Sequence, residues 1–184
     1  MSINNNELIY SRQVLDFFTV ANEFCIFIDS PQGHTQQTAF PYLQKVLPLL
    51  YLKGSLLPDI EPSYPDAVER YVTEIQWETV FLNFKKLFGD KDRYFEIDPD
   101  EYPPTEGSIR TVSMAEYIAD IYQDMKDFVL LFSKELQASQ ECALSEIVKL
   151  FRNHWGCRLI SLHSALHYQI YRFDIHSPDQ EGAL

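Results

Sequence analysis

The chain has 184 residues and a formal net charge of −12 at pH 7, and this length suits a single domain with one sizeable core. Nucleic acids and anionic membranes are both bound largely through Lys and Arg, so the acidic balance argues against either as a partner. Aromatic residues are abundant, with 13 Phe and 11 Tyr, and Gly is scarce at 6, which favours packed helices over a turn-rich β fold.

Three helices are predicted in the first half of the chain. Apolar residues recur at three- and four-residue steps from about residue 7 to 29 and again from about 36 to 54, where Pro48 should kink or split the helix. The proline-rich stretch SLLPDIEPSYPD then predicts an extended connector. A third helix from about 65 to 89 carries apolar residues around most of its circumference, which predicts a central, buried helix.

Two further helices are predicted in the second half. The acidic, proline-containing stretch at about 90–112 predicts a long loop. Ser113 and Glu116 have the spacing of a capping box, which predicts the start of a fourth helix that runs to about residue 139. A fifth helix should span about 142–173. With loose ends at about 1–6 and 174–184, the sequence predicts an all-α, single-domain bundle of about five helices.

The location of the protein is predicted from what the sequence lacks. The opening MSINNNELIY has no positively charged region and no apolar run, so we expect no secretory signal. Apolar stretches such as VLPLLYL are far shorter than the roughly 20 residues of a membrane helix. Cys25, Cys142 and Cys157 form no CxxC pair and are odd in number, which favours buried thiols over a disulfide framework. We therefore expect a cytoplasmic protein.

The fourth helix carries three carboxylates along one side, in DIYQDMKDF at 120–128. Projected around the helix axis, Asp120, Asp124 and Asp127 lie opposite the apolar arc. The simplest interpretation is a solvated face, because ionised carboxylates are rarely buried without partners. A docking surface for a protein partner is a second interpretation.

A magnesium or manganese site is a third interpretation of the same residues. All-α nucleotide pyrophosphatases hold their ions with acidic residues at three-residue spacing on two helices, and Asp124 and Asp127 have that spacing. A second matching pair is missing, since Glu74 and Glu78 are four residues apart. We therefore predict no metal and no cofactor.

A second candidate site centres on Arg158, which falls inside the apolar stripe of the fifth helix. A buried guanidinium needs a partner, and Glu78 on the third helix is the predicted one. The alternative is an arginine that binds an anion in a polar pocket.

His163 and His167 are four residues apart and share a helix face, a spacing used in metal sites. No third ligand is evident, so interfacial or partly exposed histidines are favoured. Gly156, predicted to lie inside the fifth helix, should permit close approach of another helix or a ligand. The sequence contains no nucleophile elbow, phosphate-binding loop or dinucleotide-binding fingerprint.

Four blocks of this sequence resemble a bacterial family that is defined only as a domain of unknown function and is typical of the Bacteroides group. The blocks are VANEFCIFI (20–28), LQKVLPLLYLKGSLLPDIEP (43–62), DIYQDMKDF (120–128), and HWGCRL together with ALH (154–167). The resemblance spans about residues 10–173. It implies a cytoplasmic, all-helical single domain and assigns no catalytic residue.

Two functions are consistent with these features. The first is a non-catalytic interaction module that binds a protein partner through Asp120, Asp124 and Asp127, with the 90–112 loop as a possible addition. The second is a helical bundle that binds a small anion or a metal, which includes the possibility of a nucleotide hydrolase. Its polar pocket would bring together the following side chains: Arg158, Glu78, Glu74, His163 and His167. The sequence decides neither between enzyme and binding protein nor the oligomeric state.

Overall fold

Seven α-helices and one pair of antiparallel strands make up the part of the chain that the computed structural model describes, residues 4–30, 33–98, 101, 103–105 and 107–172. The helices are α1 (Asn5–Ile9), α2 (Arg12–Asp29), α3 (Gln36–Ser55), α4 (Glu74–Phe88), α5 (Met114–Phe132), α6 (Gln137–Asn153) and α7 (Trp155–Tyr171). The strands are β1 (Arg93–Ile97) and β2 (Ile109–Ser113). The prediction of a predominantly helical fold is confirmed, whereas the helices are more numerous than five and the strand pair was not predicted.

Helix α5 occupies the centre of the fold and packs against α2, α4, α6 and α7. It begins where predicted, since the Ser113 side chain caps it by accepting a hydrogen bond from the Glu116 N–H. The prediction that the third helix would be the central one is wrong. That helix, α4, buries only Val80, Phe84 and Phe88 and leaves Ile75 76% exposed. Apolar residues around the whole circumference of α4 therefore did not show that this helix is buried.

Several helix boundaries differ from the predicted ones. The first predicted helix is divided between α1 and α2. The third begins only at Glu74, after a capping box formed by Thr73 and Gln76, while Pro65 starts a short 3-10 turn. The second predicted helix is confirmed to within one residue, and it is one continuous α-helix that accommodates Pro48.

The predicted fifth helix is in fact two helices, α6 and α7, which meet at His154. The backbone of His154 has φ −139° and ψ −85°, outside the helical region, so the chain turns a corner there. Gly156 consequently lies in the first turn of α7 and not in a helix interior. A Cβ atom at this position would lie 2.3 Å from the carbonyl oxygen of Phe151 in α6. The corner therefore requires a residue without a side chain.

The predicted loop at about 90–112 contains both strands. Their register pairs Glu96 with Arg110 and Ile97 with Ile109. Side chains alternate along each strand, so that Glu96 and Arg110 face the helices while Phe95, Ile97 and Ile109 are exposed. The prediction of an irregular loop is therefore wrong for the strand residues. Positions 99, 100, 102 and 106 of the predicted loop lie outside the described residues.

The predicted loose ends lie largely outside the described residues, which exclude 1–3 and 173–184. Asn5 and Asn6, which were included in the loose N-terminal end, belong to α1. Among the described helices none is long and apolar enough to cross a membrane. Cys25 and Cys142 are buried free thiols as expected, whereas Cys157 is exposed and corrects that expectation.

Glu141 is a buried carboxylate that fastens the connector before α4 to helix α6. It accepts hydrogen bonds from the Ser63 N–H at 2.7 Å and from the Gln137 amide at 2.8 Å. Burial alone would raise the pKa of Glu141, but these donors outweigh burial and lower it below its ordinary value of 4.5. The ionised carboxylate of Glu141 therefore stabilises the folded state.

Replacing Glu141 with Gln should reduce the free energy of unfolding at pH 7 by about 1 to 2 kcal/mol. Because the folded-state pKa lies below the unfolded one, this stabilisation is complete above about pH 4.5 and is lost as the pH falls through the folded value. Urea unfolding of both proteins at a series of pH values measures the difference. Glu135→Gln, at an exposed position, is the control, and a difference that does not shrink in acid would contradict the assignment.

Candidate functional site

The three aspartates of α5 line up as predicted, but they do not face water. Asp124 and Asp127 are buried, at 4% and 5% relative exposure, and Asp120 is partly buried. The prediction of a solvated face is therefore wrong for Asp124 and Asp127. Both carboxylates are buried because α5 is central and other segments of the chain cover its polar side. A partner-binding role for the three residues stays a prediction, without the exposure on which it was based.

Each of these aspartates binds a different segment of the chain to α5. Asp127 accepts hydrogen bonds from the backbone N–H groups of Tyr71 and Val72, at 2.7 and 2.9 Å. Asp120 accepts from the Trp77 indole of α4 at 3.0 Å. Successive contacts along one face of α5 thus hold the connector and α4 in place.

Asp124 and Asp120 also orient two side chains that reach a cleft beside α7. The Asp124 carboxylate lies 2.6 Å from Nδ1 of His154, and Asp120 accepts a hydrogen bond from Nε of Arg158 at 2.9 Å. Burial raises the pKa of Asp124, although His154 and Arg70 act in the opposite direction. The pairing of Arg158 with Asp120 corrects the predicted pairing with Glu78.

The cleft has a volume of about 750 Å³ and lies where the strand pair meets the corner between α6 and α7. We call it the arginine cleft, after Arg110, Arg152 and Arg158 in its wall, to which Glu96, Tyr117 and His154 also contribute. The guanidinium of Arg158 lies over the Tyr117 ring, 5.7 Å from its centroid. Arg110 donates to the hydroxyl of the same tyrosine at 3.2 Å. Tyr117 therefore lies between the two arginines.

Glu96 anchors the back of the arginine cleft. Its carboxylate accepts hydrogen bonds from the hydroxyl groups of Tyr117 and Ser161 and from Arg110 at 2.8 Å. Burial, followed by the bond to Glu96, raises the pKa of Tyr117 to about 12, so the phenol stays neutral and donates. Burial lowers the pKa of Arg110, but Glu96 and Tyr117 outweigh it and raise that pKa above the ordinary value. Arg110 is thus a permanent cation in a fixed position.

The charges of the arginine cleft are arranged with the cations outward. The side chains of Arg110 and Arg158 are 39% and 31% exposed, whereas those of their partners Glu96 and Asp120 are 10% and 17% exposed. The carboxylates of Glu96 and Asp120 lie behind and orient the guanidinium groups, whereas Asp98, whose side chain is 28% exposed, lies 3.3 Å from Nη1 of Arg110. An approaching solute therefore meets the guanidinium group of Arg158 before the carboxylate that holds it. Arg152, at the rim, forms a surface ion pair with Asp59 at 2.6 Å.

Of the predicted pocket residues, only Arg158 lies in the arginine cleft. Glu74 and Glu78 are exposed on α4. His163 has its Nε2 3.2 Å from the carbonyl oxygen of Gln44, and His167 is exposed beside the Tyr171 ring. The structure thus does not bring the five predicted side chains together. Within the described part of the chain, no group of three or more His, Cys, Asp or Glu side chains is placed to hold a metal ion.

Sequence reasoning missed Arg110, Glu96 and His154. The first two lie in RYFEI and IRTVS, where alternation of apolar and polar residues is a strand signal that the acidic surroundings obscured. His154 was placed inside a continuous helix. The only local sign of the corner is Gly156, two residues later.

The fold and the cleft define a class of helical protein with one antiparallel strand pair and an arginine-lined cleft at the junction of two helices. The family model described as "Domain of unknown function (DUF5063)" matches residues 8–172, and the chain belongs to this family. This result confirms the resemblance inferred from the four sequence blocks.

A solved structure of a Bacteroides protein is also similar. The crystal structure of protein BF1032 from Bacteroides fragilis shares 33% sequence identity and a TM-score of 0.78, over 90% of this chain and 96% of that chain. No curated protein matches the chain.

Proposed function

We propose that the protein binds a small anion in the arginine cleft. The observation that carries this proposal is the outward arrangement of Arg110 and Arg158, each held from behind by a more deeply buried carboxylate. Guanidinium groups fixed in this way bind carboxylate or phosphate oxygens without a further loss of side-chain freedom.

The distribution of arginine supports the same function. The chain has seven arginines and a net charge of −12, so a positive surface is not expected by chance. Three of the seven line one cleft. Each of the three is paired with a carboxylate, so the cleft offers an anion oriented guanidinium donors and not an excess of positive charge.

A protein-interaction module that uses Asp120, Asp124 and Asp127 has less support. Two of these carboxylates are buried, and their oxygens bind His154, Tyr71 and Val72 within the chain. A partner would have to break these contacts before it could reach the aspartates. We therefore favour the anion site over the acidic surface.

Replacing Arg158 with Gln should weaken the binding of inorganic phosphate by about tenfold or more, because a charge-assisted hydrogen bond contributes about 1.5 to 3 kcal/mol. Isothermal titration calorimetry of the full chain measures the affinity. Arg12→Gln, which removes a highly exposed arginine of α2, is the matched control and should change it less than about twofold.

Two measurements keep this test independent of folding. Circular dichroism checks that the Arg158→Gln protein keeps its helices, and Arg158→Lys retains the charge while losing the planar fork. We expect Arg158→Lys to bind phosphate with intermediate affinity. The proposal fails if the unmodified protein binds neither phosphate nor a carboxylate such as acetate at millimolar concentrations, or if Arg12→Gln weakens binding equally.

A further inference from the structure

His154 is fixed at the wall of the arginine cleft by both its backbone and its side chain. It ends α6 and precedes α7, and its Nδ1 lies 2.6 Å from the buried carboxylate of Asp124. Its carbonyl oxygen accepts a hydrogen bond from Nη1 of Arg158 at 3.4 Å. The imidazole and the guanidinium of Arg158 are therefore neighbours in one wall of the cleft.

The second ring nitrogen of His154 is available to a ligand. Nε2 has no hydrogen-bond partner among the residues that the structure describes, and the side chain is about one-third exposed. Because Asp124 accepts from Nδ1–H, a neutral ring presents a lone pair at Nε2, whereas a protonated ring presents an N–H donor there.

The charged and titratable groups around His154 come from six parts of the chain. They are Asp120, Asp124 and Tyr117 on α5, Arg70 in the connector, Arg152 on α6, Cys157 and Arg158 on α7, Glu96 on β1 and Arg110 on β2. Arg70 also lies 4.0 Å from Asp124 and 2.8 Å from Glu146, so the charge of Asp124 is shared between Arg70 and His154. The imidazole therefore has a carboxylate on its Nδ1 side, shared with one arginine.

A tetrahedral oxyanion fits this set of donors better than a carboxylate. Its oxygens point in several directions, so it can accept from Arg158 and His154 together and still face Arg110 across the cleft, while a carboxylate offers only two oxygens in one plane. An oxyanion next to Nε2 would be repelled by the lone pair of a neutral ring. Binding should therefore be coupled to protonation of that ring.

We infer that the arginine cleft takes a phosphoryl or sulfate dianion and that His154 donates a hydrogen bond from Nε2 to it, gaining one proton as the ligand binds. This assignment rests on the proposed anion site. It makes His154 a specificity-determining residue for dianions, with Asp124 as the residue that positions it.

The ligand is larger than a free phosphate if the whole cleft is used. Its volume of about 750 Å³ far exceeds that of one phosphoryl group, and the exposed side chains of Ile97 and Ile160 line it. A phosphate ester with an apolar substituent could contact both. Inorganic phosphate and phenyl phosphate share the dianion chemistry and differ only in this substituent.

Calorimetric titration of the full chain with sulfate, at mildly alkaline pH and in two buffers of different ionisation enthalpy, tests the inference. Sulfate gains no proton near neutral pH, so uptake of about one proton per sulfate bound must occur on the protein. Protonation of His154 on binding predicts this uptake. We expect His154→Gln to lose the uptake and to bind sulfate at least several-fold more weakly. His167→Gln, which changes the exposed histidine of α7, should retain both.

The outcomes separate this inference from the proposed function. Sulfate binding without proton uptake in the unmodified protein would overturn the role of His154 and leave the anion site standing. Failure to bind sulfate, phosphate and phenyl phosphate would reject this inference, and failure to bind acetate as well would also reject the anion site. Asp124→Asn keeps the side-chain shape and should reduce the proton uptake, which provides a second variant if His154→Gln does not fold.

The affinities for phenyl phosphate and inorganic phosphate distinguish the two sources of the dianion. Tighter binding of phenyl phosphate identifies an ester as the ligand, and equal affinities identify free phosphate.

Discussion

Replacing Gly156 with Ala should destabilise the protein by about 2 to 3 kcal/mol and lower its Tm by roughly 5 to 10 °C. The new Cβ would lie 2.3 Å from the Phe151 carbonyl oxygen, a contact that side-chain rotation cannot relieve because the oxygen belongs to the backbone of α6. The corner between α6 and α7 must open instead. Since His154 and Arg158 flank this corner, we also expect weaker anion binding.

Thermal and urea unfolding of Gly156→Ala measure this effect, with Gly107→Ala as the matched control. A Cβ at Gly107 meets no atom within 4 Å, so this substitution should change the free energy of unfolding by less than about 1 kcal/mol. Equal effects of the two substitutions would show that the loss at Gly156 does not come from the Phe151 contact.

Local features of the fold could be predicted from the sequence because they depend on neighbouring residues. The periodicity of residues 36–54 gave α3 to within one residue, and Ser113 marked the start of α5. The corner at His154 could not be predicted in the same way, because apolar periodicity continues through it and no proline marks it. The clash that requires Gly156 exists only once the two helices have turned.

The aspartates of α5 show the limit of a helical projection. The projection correctly placed Asp120, Asp124 and Asp127 on the side of α5 opposite its main apolar arc. It could not show what covers that side, because the covering groups come from 70–72, α4 and the corner between α6 and α7. Burial of a polar face depends on long-range packing that no single helix contains.

The arginine cleft was predicted in part for a similar reason. Arg158 stood out because a charged residue interrupts an apolar stripe, which is a local signal. Its partner Asp120 and its neighbour Arg110 become apparent only when α5 and the strand pair pack beside α7. Glu78 was a reasonable partner only while α4 was assumed to be central.

Replacing Asp127 with Ala should lower the free energy of unfolding by about 3 kcal/mol, an effect expected of a buried carboxylate and not of a docking residue. The substitution would remove the acceptor for the N–H groups of Tyr71 and Val72 and leave Arg70 without one of its carboxylates. The connector before α4 would then lose its attachment to α5. Urea unfolding at pH 7 measures the loss.

Two companion variants separate the hydrogen bonds of Asp127 from its charge. Asp127→Asn keeps an oxygen that can accept from Tyr71 and Val72, so it should lose less than half as much stability as Asp127→Ala. Asp16→Ala removes a half-exposed ion pair with Lys53 and should lower the free energy of unfolding by less than about 1 kcal/mol. If Asp127→Ala were as stable as Asp16→Ala, the aspartate would not attach the connector to α5. The interpretation of this helix face as a partner-binding surface would then regain its basis, since the carboxylate would be free to leave its internal contacts.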